Sequence, residues 1–271
     1  MKMNFQTVTD HPEYYALITG ASSGIGKAMA KECAGRGMNL FLVALPSSGL
    51  PELSEELSMA YGVKSRFLEI DLALQNAHQE VFQFSKINRL TVKVLINNVG
   101  IGFNGRLEGM DENDVLDMLT LNIRLTTMLT KVFLPELKKL PKAYILNMGS
   151  LAGFVPLSGK SVYSASKAYV FFITRAMSRE LKGSGVSVSG VFPAGVPTNN
   201  LVIQRIARMG WLARNLVSSP ESVAREAIGG MLKGKSVIFP GQRLKSFFYL
   251  GCLLPQGLVI KLLANEFIHS K

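Results

Sequence analysis

The sequence predicts an α/β protein, a single domain built on a doubly wound, mostly parallel sheet. Three observations carry that prediction. Seven short apolar runs recur along the chain, helix-length segments separate them, and most runs are continuously apolar rather than alternating. Continuous apolarity is the mark of strands covered on both faces. Strand and helix in alternation at this spacing mean βαβ units and a parallel sheet.

The runs, in order, are YYALIT (14–19), NLFLVA (39–44), KSRFLEI (64–70), VKVLIN (92–97), AYILNM (143–148), VSVSGVF (186–192) and SVIF (236–239). Segments 50–61, 111–137 and 163–182 have helical length and composition, and a further helix is expected from Pro220. Two stretches break the rhythm. Residues 199–219 read as an inserted helical lid holding the single tryptophan, Trp211. Residues 244–271 form an apolar, basic-flanked C-terminal extension rather than an independent domain. No internal repeat or linker divides the 271 residues, so the expected domain is 1–243 plus that extension.

Composition narrows the function. Apolar residues at 48% and charged residues at 18% describe an ordered globular chain and exclude a disordered one. Cys33 and Cys252 are the only cysteines, and His11, His78 and His269 fall in unrelated segments, so no metal site is expected. The net charge is +11, and residues 199–271 hold ten basic against three acidic side chains. That excess suits an acidic substrate, an anionic membrane surface or simply a solvated basic face. No aromatic-interleaved basic run points to nucleic acid, so none is expected as a partner. The N-terminus has no signal-like apolar core, and no apolar run reaches the length of a spanning helix. A cytoplasmic location fits, with peripheral membrane contact through 244–263 as one reading of that segment and lid or subunit packing as the other.

The first strand runs directly into TGASSGIG, with a helix opening near Ile25. Glycines there let the backbone turn tightly and approach a pyrophosphate, and the helix N-terminus offers free N–H groups to the anion. Gly20, Ser22, Ser23, Gly24, Ile25 and Gly26 are therefore the expected cofactor cradle. NNVG (97–100) ends the fourth strand, at the edge where ligands bind in open α/β sheets. Tyr163 and Lys167 stand four apart in YSASK, on one face of a helix, and an ammonium beside a phenol lowers the phenol's pKa. Tyr163 is thereby expected to be a proton donor or acceptor. Ser150, thirteen residues upstream at the end of the fifth strand, is placed to polarise a carbonyl. Asn122 lies in the apolar helical stretch LTLNIRLT, where an amide is costly unless paired.

The spacing Gly20, Gly24, Gly26, with NNVG and YSASK following in order, resembles the short-chain dehydrogenase/reductase family over residues 14–239, which implies a Rossmann-like fold. The resemblance implies further roles. Asn122, Ser150, Tyr163 and Lys167 form the catalytic set, with Asn122 holding a water that relays protons from Lys167, which also binds the nicotinamide ribose. Asp71 and Leu72 sit by the adenine, Asn98 lines the adenosine ribose, Val196 meets the carboxamide and Thr198 the diphosphate. It also implies a homo-oligomer paired through two long helices. The sequence departs from the family at Ala194, where a glycine is usual, and at Pro197, which removes a backbone donor.

Cofactor choice follows from the end of the second strand. Eighteen residues beyond Gly26, where an NAD enzyme presents a carboxylate, stands Ala44. Leu45 stands where many NADP-dependent members carry arginine, leaving Ser22, Ser23, Ser47, Ser48 and Lys27 to receive a phosphate. NADP is the expected cofactor, with NAD as the alternative. The reading is an oxidoreductase moving hydride between nicotinamide and the carbonyl or alcohol of a mostly apolar small molecule. An epimerase, or a nucleotide-sensing scaffold that has kept the fold, is the alternative. Leu201, Val202, Ile203, Ile206, Met209, Trp211 and Leu212 are the expected apolar wall over the substrate, with Arg205, Arg208 and Arg214 near any acidic head group.

Overall fold

The computed structural model describes residues 14–103, 105–208 and 210–251. Most of the C-terminal extension, Met209, and the side chains of Arg205, Arg208 and Leu212 lie outside what is described. Seven strands form one sheet in the order β3-β2-β1-β4-β5-β6-β7. They are β1 (Tyr14–Thr19), β2 (Asn39–Ala44), β3 (Ser65–Glu69), β4 (Thr91–Asn97), β5 (Ala143–Met148), β6 (Val186–Val191) and β7 (Val237–Ile238). All six pairings are parallel, so the sheet is parallel throughout rather than mostly so. The chain starts at the centre, winds outward to β3, then returns past β1 to build the other half. The strand order reverses between β1 and β4, and the C-terminal edge at such a reversal is where open α/β sheets bind ligands.

Two apolar layers sandwich the sheet. On one face α1 (Gly24–Gly35), α2 (Leu50–Tyr61) and α9 (Pro220–Leu232) cover Ile18, Leu42, Ile96 and Leu146. On the other, α3 (Ala77–Ile87) and α5 (Thr126–Leu137) cover Leu17, Phe41, Leu95 and Ile145, with α6 (Ser161–Glu180) alongside. Burial on both faces explains why the strand sequences do not alternate. The lid is a pair of short helices, α7 (Asn200–Arg208) and α8 (Trp211–Asn215), and the chain after β7 forms α10 (Gln242–Gly251).

The helix expected over 111–137 is interrupted. It divides into α4 (Glu112–Leu119), a wide π-type turn at Thr120–Leu125, and α5. The physical reason is Asn122, whose amide leaves the helix to bond the backbone of Ile101. Such turns, with their extra residue, commonly mark functional positions.

One polar thread crosses the second apolar layer. Asn97 and Asn147 are paired neighbours on β4 and β5, and Asn97 Nδ2 donates to Asn147 Oδ1 at 2.9 Å and to Thr130 Oγ1 at 3.0 Å. Asn147 Nδ2 donates in turn to Thr174 Oγ1 at 2.9 Å, which donates to the Val170 carbonyl. The thread ties both strands to α5 and α6 immediately beneath the ligand edge.

Candidate active site

The phosphate end is built by the turn between β1 and α1. Gly20 and Gly24 adopt φ of +65° and +51°, in the left-handed region that favours glycine. A Cβ on Gly24 would stand 3.0 Å from the Thr198 side chain. A Cβ on Gly26 would strike the Gly20 carbonyl and lie 2.7 Å from Asn98 Nδ2. Two glycines therefore shape the turn, while the third lets helix and turn close on each other. Ser23 caps α1 with extended backbone and no side-chain capping bond, and the first turn carries no acidic residue. The helix end thus presents N–H groups and an uncompensated positive dipole, which fits a diphosphate. Ser22 and Ser23 flank that mouth, and Ile25 packs into the core beneath.

Asn98 stands beside the glycine turn, at the edge where the ribose contact is expected. Its Nδ2 donates to the carbonyls of Thr19 at 2.8 Å and Gly20 at 3.3 Å, so the side chain braces the glycine turn. The Thr19 hydroxyl accepts from the backbone N–H of Asn98 at 3.0 Å and of Val99 at 3.1 Å. At the adenine end, exposed Asp71 accepts from Ala73 N at 2.9 Å, and Leu72 is buried in the core. Val196 is likewise a buried core residue, and Thr198 sits half-exposed against Gly24.

The chemical end joins β5 to α6. Ser150 follows β5, caps the short turn Leu151–Gly153, and accepts from Ala152 N at 3.2 Å. Tyr163 and Lys167 lie one turn apart on α6. Lys167 is only 4% exposed, and its Nζ donates to the Met148 carbonyl at 3.1 Å and lies 5.8 Å from the centre of the Tyr163 ring. Burial pushes its ammonium down to about 8. Burial also raises the Tyr163 phenol above its ordinary range, opposed by a hydrogen bond with Ser150. The expected lowering of Tyr163 by Lys167 does not appear: burial is the larger influence, and the group that eases the phenol is Ser150.

Asn122 completes the cluster as a brace. Its Oδ1 accepts from Ile101 N at 2.9 Å, and its Nδ2 donates to Ile101 O at 2.9 Å and Ser166 Oγ at 3.0 Å. Ser166 Oγ then donates to the Tyr163 carbonyl at 2.7 Å. A Cβ on Gly102 would stand 2.9 Å from the Tyr163 ring. The loop after β4 is thus pressed against the Tyr163 ring, held by the Asn122 amide and by Gly105 N donating to Gly159 O at 2.9 Å. A carbonyl oxygen seated between the Ser150 and Tyr163 hydroxyls would meet two hydrogen-bond donors at once.

At the β2 end, Ala44 is buried and Leu45 exposed. Ser47 takes φ of +58°, and its N–H donates to Glu69 Oε1 at 2.9 Å. The Ser48 hydroxyl is buried with no hydrogen-bond partner among the described residues. The loop after β6 accepts Ala194 without strain, because neither Ala194 nor Gly195 is left-handed. Ile206 and Val217 close over Gly195, but Leu201 is 65%, Ile203 49% and Trp211 73% exposed, so these three do not form the expected wall. The reason lies in the lid's attachment, which turns Ile206 toward the body and leaves those three side chains in solvent.

Sequence reasoning missed Thr19, Gly102, Ser166 and Glu69. Gly102 had a visible signal in the repeated glycines of NNVGIGFNG, and Ser166 sits inside YSASK itself. Thr19 and Glu69 act through contacts distant in the chain and leave no local pattern.

Residues 14–206 match the family model described as short chain dehydrogenase. The very-long-chain 3-oxoacyl-CoA reductase of Anas platyrhynchos is 32% identical over 221 residues, covering 79% of this chain and 68% of the relative. That of Mus musculus is 31% identical over 195 residues, covering 70% and 62%. The chain thus spans about two thirds of the length of these relatives. Among solved structures, a short-chain dehydrogenase from Sphingobium yanoikuyae in complex with NADPH is 29% identical with a TM-score of 0.76, covering 90% of this chain and 94% of that one. The bulky-bulky ketone specific alcohol dehydrogenase from Comamonas testosteroni is 28% identical with a TM-score of 0.75, covering 90% and 93%.

Proposed function

The chain belongs to the short-chain dehydrogenase family, and on that premise we propose that it is an NADP(H)-dependent reductase of the 3-oxo group of long-chain acyl thioesters. The observation that carries the reading is the meeting of Ser150, Tyr163 and Lys167 beside a glycine cradle suited to a diphosphate. The thioester substrate is taken from the 3-oxoacyl-CoA reductases it resembles. NADP(H) is supported by the NADPH-bound relative, by the absence of a carboxylate at Ala44 and by the free Ser48 hydroxyl.

Gly20, Gly24, Gly26 and the N-terminus of α1 would hold the diphosphate, with Thr198 against Gly24 on the opposite side. When bound, a nicotinamide dinucleotide would supply hydride chemistry at the carbonyl carbon, and the chain's own residues manage the oxygen. Ser150 orients that oxygen by a hydrogen bond. Tyr163 gives its phenolic proton to the oxygen as negative charge develops there, which yields the hydroxyl. The high pKa of the phenol keeps it protonated and ready to donate at neutral pH. Lys167, with a pKa of about 8, lies close enough to operating pH to return a proton toward Tyr163. Asn122 acts by keeping the 100–102 loop against the phenol.

The test is NADPH oxidation with acetoacetyl-CoA and 3-oxohexadecanoyl-CoA by the wild type and Tyr163→Phe, with NADPH binding followed by nicotinamide fluorescence. Turnover of the longer thioester, lost about 10²-fold or more in the variant with binding retained, is expected. Equal turnover by both proteins would overturn the role of Tyr163, and turnover of neither thioester would overturn the substrate class.

A further inference from the structure

Behind Ser150 lies a core separate from the two layers that cover the sheet. It contains Leu151, Phe192, Leu216, Phe239 and Leu244, all buried, with Phe154, Phe171 and Phe248 packed against them. Phe154 is its hub. Its ring centre lies 4.6 Å from Phe171, 5.2 Å from Phe192, 5.5 Å from Phe239 and 4.7 Å from Phe248. Phe248 also stacks on Phe239 at 4.2 Å.

These side chains come from the elements that must be aligned for chemistry. Leu151 and Phe154 belong to the turn that Ser150 caps, and Phe171 stands on α6 one turn beyond Lys167. Phe192 opens the loop that carries Val196 and Thr198, and Leu216 ends the lid. Leu244 and Phe248 come from α10, four apart and so on one face of that helix. On its upstream side Ser150 is held by the sheet, where Gly149 N donates to Val191 O at 2.8 Å. On its downstream side the turn has, among the described residues, one backbone tie to another element, Leu151 N to Pro193 O at 2.8 Å; Gly153 packs closely on the α6 backbone at Lys167, and the aromatic core covers the rest. Edge-to-face and offset rings in such clusters add specific orientation to apolar burial.

We propose that α10 is a positioning element for the reaction: Leu244 and Phe248, acting through Phe154, hold the Ser150 turn against Tyr163 and bind the end of the lid into the same core. The proposal rests on the reading of Ser150 and Tyr163 given above. It assigns the start of the apolar C-terminal extension a place in the active site's support, through Leu244 and Phe248 and by way of Phe154.

The experiment compares Phe248→Ala, Phe248→Leu, Ser150→Ala and the Phe248→Ala/Ser150→Ala pair in the full chain. The first readout needs no substrate: the ionisation of Tyr163, followed by tyrosinate absorbance and isolated by difference from Tyr163→Phe. Loss of the Ser150 hydrogen bond removes the influence that lowers the phenol's pKa, so Ser150→Ala and Phe248→Ala should both move the ionisation to higher pH. The second readout is kcat in the thioester assay, expected to fall about tenfold in Phe248→Ala, with NADPH affinity unchanged and no further fall in the double variant. Phe248→Leu should lie between. If Phe248→Ala does not fold, Phe248→Leu must show a loss that vanishes in the Ser150→Ala background. An unshifted Ser150→Ala titration together with an unchanged kcat in that variant defeats the catalytic reading itself. A shifted Ser150→Ala with an unshifted Phe248→Ala, additive losses in kcat, or NADPH affinity falling in step defeats the positioning role alone.

Discussion

Replacing Lys167 by methionine should make the protein more stable at neutral pH, even as it removes a group placed in the catalytic cluster. The ammonium is 4% exposed, and burial lowers its pKa from 10.5 to about 8. In the unfolded chain it returns to the ordinary value, so between those pH values the unfolded state holds more protons and stability rises with pH. Below about pH 8 both states are protonated and the whole cost of burying the charge is present. At pH 7 that cost is about 3 kcal/mol, and by pH 10 it has fallen to about 1 kcal/mol. Methionine keeps the length and loses the charge, but it also loses the donor to the Met148 carbonyl, worth about 1 kcal/mol. The variant should therefore be about 2 kcal/mol more stable than wild type at pH 7 and about equal to it at pH 10. Urea unfolding of both proteins across that range measures the difference directly, and titrations common to both cancel. A difference that stays constant with pH, or a variant less stable at pH 7, would refute the argument that desolvation dominates at Lys167.

Gly26→Ala drives a methyl group into the Gly20 carbonyl, so dinucleotide binding should weaken about 10²-fold or more while the rest of the sheet stays folded; fluorescence titration with NADPH checks it. Gly102→Ala meets the Tyr163 ring at 2.9 Å and should lower kcat about tenfold with NADPH affinity kept, a split that steady-state kinetics and binding together reveal. Glu69→Gln removes a carboxylate that engages Ser47 beside the free Ser48 hydroxyl, and should tighten NADPH several-fold, by about 1 kcal/mol, with little change for NADH. Equal changes for both dinucleotides would show that Glu69 does not sense the 2′-phosphate. Leu116, Leu119 and Phe172 are exposed on α4 and α6, and if these helices pair two chains, Leu119→Glu should halve the mass found by light scattering.

Much of this molecule is legible along the chain because its strands are local and buried on both faces. NLFLVA and AYILNM become β2 and β5 residue for residue, and LPELSEELSMAY becomes α2. The proposed catalytic residues are legible for a related reason: Tyr163 and Lys167 share one helical turn, and Ser150 marks a strand end. What stayed hidden depends on groups meeting from far apart. No periodicity reveals that Asn122 will leave its helix for Ile101, or that Asn98 will serve the turn between β1 and α1. The direction of the Tyr163 shift was hidden too, because it depends on how deeply the phenol is desolvated, and the i, i+4 spacing is silent on depth. The lid shows the opposite failure. Its apolar residues suggested an inward wall, yet the side chains of Leu201 and Trp211 point to solvent.

The polar thread through Thr130, Asn97, Asn147 and Thr174 has a consequence for how the two halves of the sheet find each other. Parallel strands of Val, Ile and Leu offer many nearly equal alignments, because one aliphatic residue replaces another at small cost. A slip of β5 by one residue would turn Asn147 toward the opposite apolar layer and leave it and Asn97 buried without each other. Each unmet amide costs roughly 1–3 kcal/mol, far more than the aliphatic contacts distinguish. The asparagine pair therefore works as a notch that accepts a single alignment of β4 with β5. Since the glycine loop leaves β4 and the serine turn leaves β5, the same notch sets the distance across which Gly102 and Ser150 face the phenol.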